Sequence, residues 1–190
     1  MTRVEEILDF WFAQSEQGNE AEYAQRRKVW FAKNPSFDQA IRTRFQTDYE
    51  LAAAGKLMDW QETTQGCLAL ILLLDQFPRN MFRGEAQSFA TDSQALATAQ
   101  HAIAQGVDQE LPPIQRMFIY LPFEHSEHLE HQRQAVQGMR ALQIEDVTDY
   151  ALKHHAVIEQ FGRFPHRNKI LGRTNTPEEE AFLKQPGSSF

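Results

Sequence analysis

Apolar residues recur at helical spacing along almost the whole chain, and capping residues mark where each helical stretch begins and ends. Thr2 and Glu5 form a capping box ahead of Ile7, Leu8, Trp11 and Phe12, which predicts a first amphipathic helix. A second runs from Tyr23 to Ala32. Ser36 opens a longer one in which Phe37, Ile41, Phe45 and Tyr49 repeat every four residues, with Gly55 as its stop. The stretch from Thr64 to Phe77 is apolar on most faces and reads as a central buried helix ended by Pro78. Asp92 then caps an Ala-rich helix that runs to Gln105 and is ended by Gly106. Pro112 and Pro113 start a helix toward Tyr120, Pro122 interrupts it, and Ser126 restarts it toward Leu142. Asp146 begins a helix to Phe161 with Gly162 behind it, and Thr176-Pro177-Glu178-Glu179 opens a short last helix before Pro186. No alternating strand pattern competes. The expectation is an all-α antiparallel bundle of about eight helices, one domain spanning 1–190, with no linker or low-complexity tract and no Trp-x-x-Leu-Gly repeat signature.

Composition narrows the class. The chain has 190 residues, 42% of them hydrophobic and 14 of them Phe, enough for a core without disulfides or metals. Cys67, the single cysteine, lies in an apolar run that ends at Leu74, so it reads as an inert buried thiol in a reducing compartment. That run is far shorter than the ~20 residues a membrane span needs, and the N-terminus carries Glu5 and Glu6 where a signal peptide would be basic. A cytoplasmic location is expected. The net charge of -7 opposes partnership with nucleic acid or anionic membranes, both of which need summed positive charge.

Three polar runs carry the candidate chemistry. Phe77-Pro78-Arg79-Asn80 and Phe164-Pro165-His166-Arg167-Asn168 nearly repeat each other, and Glu124-His125-Ser126-Glu127 lies between them. Each follows an aromatic and a proline at an expected helix break. Arg79 and Arg83 offer guanidinium forks suited to a carboxylate or phosphate, although Arg79 and Asn80 could simply tie off helix carbonyls while Asp75 pairs with an arginine. Arg163, Arg167, Lys169 and Arg173 form a basic cluster that would attract an anion, unless Glu124, Glu127 or the terminal carboxylate of Phe190 neutralises it. Six of the seven histidines lie between His125 and His166, so a metal set of Glu124, His128 and His131 with His154, His155 or His166 is conceivable. Pro122 and Ser126 make a single helical face for the first three doubtful, and neither metal nor cofactor is expected. Ser126 beside His125 and Glu127 lacks the strand and elbow of a nucleophilic serine, and no glycine-rich phosphate loop is present.

Taken in order, Leu74-Asp75-Gln76-Phe77-Pro78-Arg79-Asn80, Tyr120 to Glu127, Phe161 to Asn168 and the ending Pro186-Gly187-Ser188-Ser189-Phe190 resemble the bacterial domain of unknown function 924 family, as do Ile7 to Phe12 and Trp30-Phe31. The resemblance covers essentially the whole chain. It implies an all-helical fold similar to the tetratricopeptide-repeat superfamily and carries no biochemical role. The motif ends at Glu127, which leaves His128 and His131 outside it.

The candidate ligand-binding residues are therefore Arg79, Asn80, Arg83, Glu124, His125, Arg163, His166 and Arg167. The leading expectation is a module that binds a small anionic molecule or a peptide carboxylate. Two alternatives stand beside it: a structural or partner-binding helical scaffold, and an enzyme using Glu124 and His125 as acid and base in the same cleft. The three runs are expected to converge. Glu124 is expected between arginines, ionised, with its pKa depressed. Phe190 is expected to pack its ring and offer its carboxylate to an arginine of the cluster.

Overall fold

The computed structural model describes residues 1–12 and 20–189, and among them the chain is entirely helical and irregular, with no strand. The helices are α1 (Arg3–Phe12), α2 (Glu20–Phe31), α3 (Pro35–Ala53), α4 (Thr64–Ile71), α5 (Phe77–Met81), α6 (Asp92–Ala104), α7 (Val107–Glu110), α8 (Pro113–Glu124), α9 (Leu129–Ala141), α10 (Glu145–Phe161) and α11 (Pro177–Leu183). The expected caps hold at both ends of the chain. The Thr2 N–H donates to Glu5 at 2.7 Å, and a reciprocal Thr176–Glu179 capping box opens α11. α3 begins two residues earlier than Ser36 suggests, because the Asn34 side chain accepts from the Phe37 N–H and Pro35 fills the first turn. Phe190, and with it the proposed terminal anchor, lies outside the described residues.

Pro78 does not end the central helix. Leu72–Gln76 form a π turn that joins α4 to α5 in one buried rod, with the Phe77 N–H reaching back five residues to the Leu72 carbonyl. The extra residue in this turn lets Pro78 sit inside the helix, and the Leu74 carbonyl, which Pro78 cannot serve, accepts from the Thr91 hydroxyl at 2.6 Å. The rod thus carries Asp75, which meets His125 after α8, and Arg79, which meets Asp92 of α6. Pro122 is likewise contained within α8, which runs on to Glu124.

Aromatic packing fixes the rod against the first helices. Trp11 lies 5.4 Å from Phe77 and 5.8 Å from Phe118, and Trp30 stacks on Trp11 while its Nε1–H donates to the Trp11 carbonyl at 2.9 Å. α8 packs closely on α9 because Gly138 has no side chain: a Cβ there would stand 2.8 Å from the Tyr120 ring. Gly162, at φ +67, ends α10 in the left-handed conformation that glycine adopts without cost, and the chain turns back so that the Phe164 N–H meets Glu127 and Arg167 meets Asp92. A small second cluster of Val157, Ile158 and Phe164 closes this end. Among the described residues no helix is long and apolar enough to cross a membrane.

Candidate functional site

The three polar runs meet where the π turn, the start of α6, the end of α8 and the 3-10 turn Pro165–Arg167 come together. Asp75 is at the centre and is fully buried. Its Oδ1 accepts from His125 Nδ1 at 2.7 Å and lies 3.3 Å from Arg79 Nη1, while Oδ2 accepts from Gln76 at 2.6 Å. Asp92 bridges two guanidinium groups, at 2.9 Å from Arg79 and 3.2 Å from Arg167. Thr91 rather than Asp92 takes the N-cap position of α6, which leaves the Asp92 carboxylate for this bridge. Both arginines also lie against the Phe89 ring, 5.7 Å and 4.6 Å from its centre, and Arg167 covers Phe164 as well. Around the rim, Glu127 accepts from Arg173 at 2.7 Å and from the Phe164 N–H at 2.7 Å.

Electrostatics sort these groups into ions and neutral partners. Burial would raise the Asp75 carboxyl, but the Arg79 charge and the hydrogen bonds from His125 and Gln76 outweigh it and hold the acid well below its usual range. Glu124 goes the other way: burial, then the Asp75 charge, push it up to about 8. It is therefore neutral near pH 7, contrary to the expected ionised carboxylate between arginines, because among the described residues no arginine pairs with it and its partner at 3.2 Å is His154 Nδ1. Burial lowers His154 to about 3, so the Glu124–His154 contact joins two neutral groups and is not an ion pair. Burial and then Arg167 lower His166 to about 4, and burial and then Arg79 lower His125 despite the opposing pull of Asp75. Arg167 is itself lowered to about 10 by burial and by Arg79, and it stays a cation.

Three guanidinium donors in this network are left over, one of them Nε of Arg173 at the rim. Arg167, 6% exposed, has a buried Nε with no hydrogen-bond partner, and Arg79 has a buried Nη2 in the same condition. Arg79, Glu124, His125, His166 and Arg167 thus come together as expected, and the structure adds Asp75, Asp92, His154 and Phe89. Asn80 and Arg83 do not join them. Both turn to Asp38 on α3, at 2.8 Å and 3.0 Å, because residue 80 is about a quarter of a turn off the Arg79 face and the helix stops at Met81 before Arg83 could return to it. Arg163 is held by Glu179 of α11 at 2.6 Å and by the Thr174 carbonyl. His128 and His131 sit at the start of α9, where His131 meets Ser126 at 2.8 Å, and no group of three or more metal-ligating side chains is found among the described residues.

The arrangement supports two kinds of chemistry. Paired guanidinium groups with spare N–H donors hold an oxyanion. An Asp–His pair in which the carboxylate takes Nδ1–H leaves Nε2 as a base, with Glu124 nearby as a proton-bearing acid. Two grooves lie elsewhere: one of about 480 Å³ between α2 and α10, lined by Arg27, Phe31, Ile144 and Asp146, and one of about 430 Å³ lined by Phe161, Arg163 and Glu178.

Comparison with known proteins places the molecule among its relatives without adding an activity. No curated protein matches the chain. A solved structure of the protein of unknown function ATU0120 from Agrobacterium tumefaciens is similar to it, with a TM-score of 0.86 and 40% identity over 95% of this chain and 96% of that one. Residues 7–187 match the family model described as bacterial protein of unknown function (DUF924). A match over nearly the whole length shows that the chain belongs to that family.

Proposed function

We propose that the Asp75–Arg79–Asp92–Arg167 cluster binds a small anion. One observation carries the reading: two adjacent buried guanidinium groups share Asp92, and each keeps an N–H without a partner. Leaving such donors empty costs free energy that an anion would recover. Thermal unfolding in the presence of small phosphates, sulfate and carboxylates tests it. A bound anion at a hundred times its Kd stabilises by about 2.7 kcal/mol, and Arg167→Lys, which keeps the charge but loses Nε, should abolish most of that gain.

A second reading, a helical scaffold whose polar runs are internal ion pairs, draws on the pairing of Arg79 and Arg167 with Asp92 and of Arg173 with Glu127. It predicts no stabilisation by any small anion. The enzyme reading rests on the Asp75–His125 pair and needs the same anion site to hold its substrate.

A further inference from the structure

We propose that the cluster selects an anion that carries its own proton, an oxyanion with an O–H beside the charge as in hydrogen phosphate or an α-hydroxy carboxylate, and that Asp92 accepts the hydrogen bond from it. The proposal rests on the reading of the cluster as an anion site and adds what else the ligand must bear.

Donors alone do not define the ligand. Hydrogen bonds within the cluster engage only Nη1 of Arg79 and Nη1 of Arg167, so the other edge of each guanidinium suits a carboxylate and a phosphate equally well. An acceptor is left over beside these donors. Asp92 Oδ2 accepts from Arg167 Nη1 at 3.2 Å. Its Oδ1 is buried and has no hydrogen-bond partner among the described residues, although Arg79 Nη1 stands 2.9 Å away. That nitrogen donates instead to the Asp75 carbonyl at 2.6 Å. The cluster therefore keeps unpartnered polar atoms of both kinds side by side: Nη2 of Arg79 and Nε of Arg167 to donate, Oδ1 of Asp92 to accept.

A carboxylate oxygen accepts hydrogen bonds and donates none. Oδ1 touches the same guanidinium whose Nη2 is unpartnered, so an anion seated on Nη2 brings its other oxygens toward Oδ1. A bare oxygen there meets like charge away from water, which is unfavourable. An oxygen that carries a proton instead closes a charge-assisted O–H···O bond, and both leftover donors and the leftover acceptor are then served by one ligand. Sulfate and selenate have the shape of hydrogen phosphate without that proton. They still meet the two arginines, and they bind more weakly.

The test is calorimetric titration of the full chain at about pH 8 with two matched pairs of anions. Inorganic phosphate is there mainly the hydrogen phosphate dianion, equal to sulfate in charge and shape and different by one O–H. Glycolate and methoxyacetate form the second pair, equal in charge, of which glycolate alone has the hydroxyl. Within the pair that binds, the proton-bearing member should bind about tenfold or more tightly. Which pair binds tells a phosphate from a hydroxy acid. In Asp92→Ala, which removes the acceptor and its charge, the preference should vanish through a gain in affinity for sulfate or methoxyacetate. The comparison within each pair is made on the natural chain and stands without the variant. Equal affinities within a pair, or a preference that survives Asp92→Ala, would overturn this inference and leave the anion site standing. No binding of any of the four, or binding undiminished when Arg79 and Arg167 are both replaced by Lys, would overturn the anion site itself.

Discussion

Glu124 is a carboxyl group shut away from water, with Asp75 as the charge that acts on it and a neutral histidine as its contact. Its pKa is raised from 4.5 to about 8, so the folded protein holds a proton there that the unfolded chain releases above pH ~4.5. The sign follows directly. The native state binds more protons across this window, so the contribution of Glu124 to stability is fully present below about 4.5 and is lost as pH rises toward 8. Glu124→Gln mimics the protonated acid and should flatten that slope, with a small cost at low pH and a gain over the wild type by pH 8. Chemical denaturation across this range checks it. A loss of several kcal/mol at every pH would instead mark an ionised, paired carboxylate. Asp75 is the opposite case. Asp75→Asn leaves Arg79 and His125 without their buried counter-charge, and an ion pair broken on one side costs roughly 3–5 kcal/mol, to be read from the denaturation midpoint.

At the scale of elements, the site depends on how the rod and α8 are held. Thr91 is the donor that serves the Leu74 carbonyl in place of Pro78, so Thr91→Val should cost about 1–3 kcal/mol as a buried acceptor loses its hydroxyl. Gly138→Ala should cost about 1–3 kcal/mol by overpacking against Tyr120. Because α8 ends on Glu124 and His125, the displacement should also shift the His125 imidazole resonances, whereas a change of the same size on exposed α11 should not. Several elements were legible in the sequence because local chemistry sets them: the two capping boxes and the Gly162 stop depend only on near neighbours. The π turn was not. A proline reads as a helix end, and only the packing of Leu72 to Leu74 in the interior, with Thr91 arriving from a distant segment, makes it worthwhile to continue through Pro78.

For the whole molecule, the meeting of Arg79, Glu124, His125, His166 and Arg167 could be anticipated from three similar helix breaks, but their pairing could not. Asp92 looked like a cap, and only the fold shows Thr91 in that role and Asp92 between two arginines. Asp75 had a signal of its own, a lone carboxylate directly after the apolar run from Cys67 to Leu74. Charge density along the sequence groups Arg163 with the basic cluster and does not reveal that α11 returns Glu179 to it.

A crystal structure of the full chain soaked in selenate, located by its anomalous signal, tests the anion site most directly. The account predicts selenium with oxygens within hydrogen-bond distance of both Arg79 Nη2 and Arg167 Nε, beside His125. Selenate found only at exposed groups such as Lys169, with Arg79 and Arg167 unchanged around Asp92, would contradict it and return the cluster to a structural role.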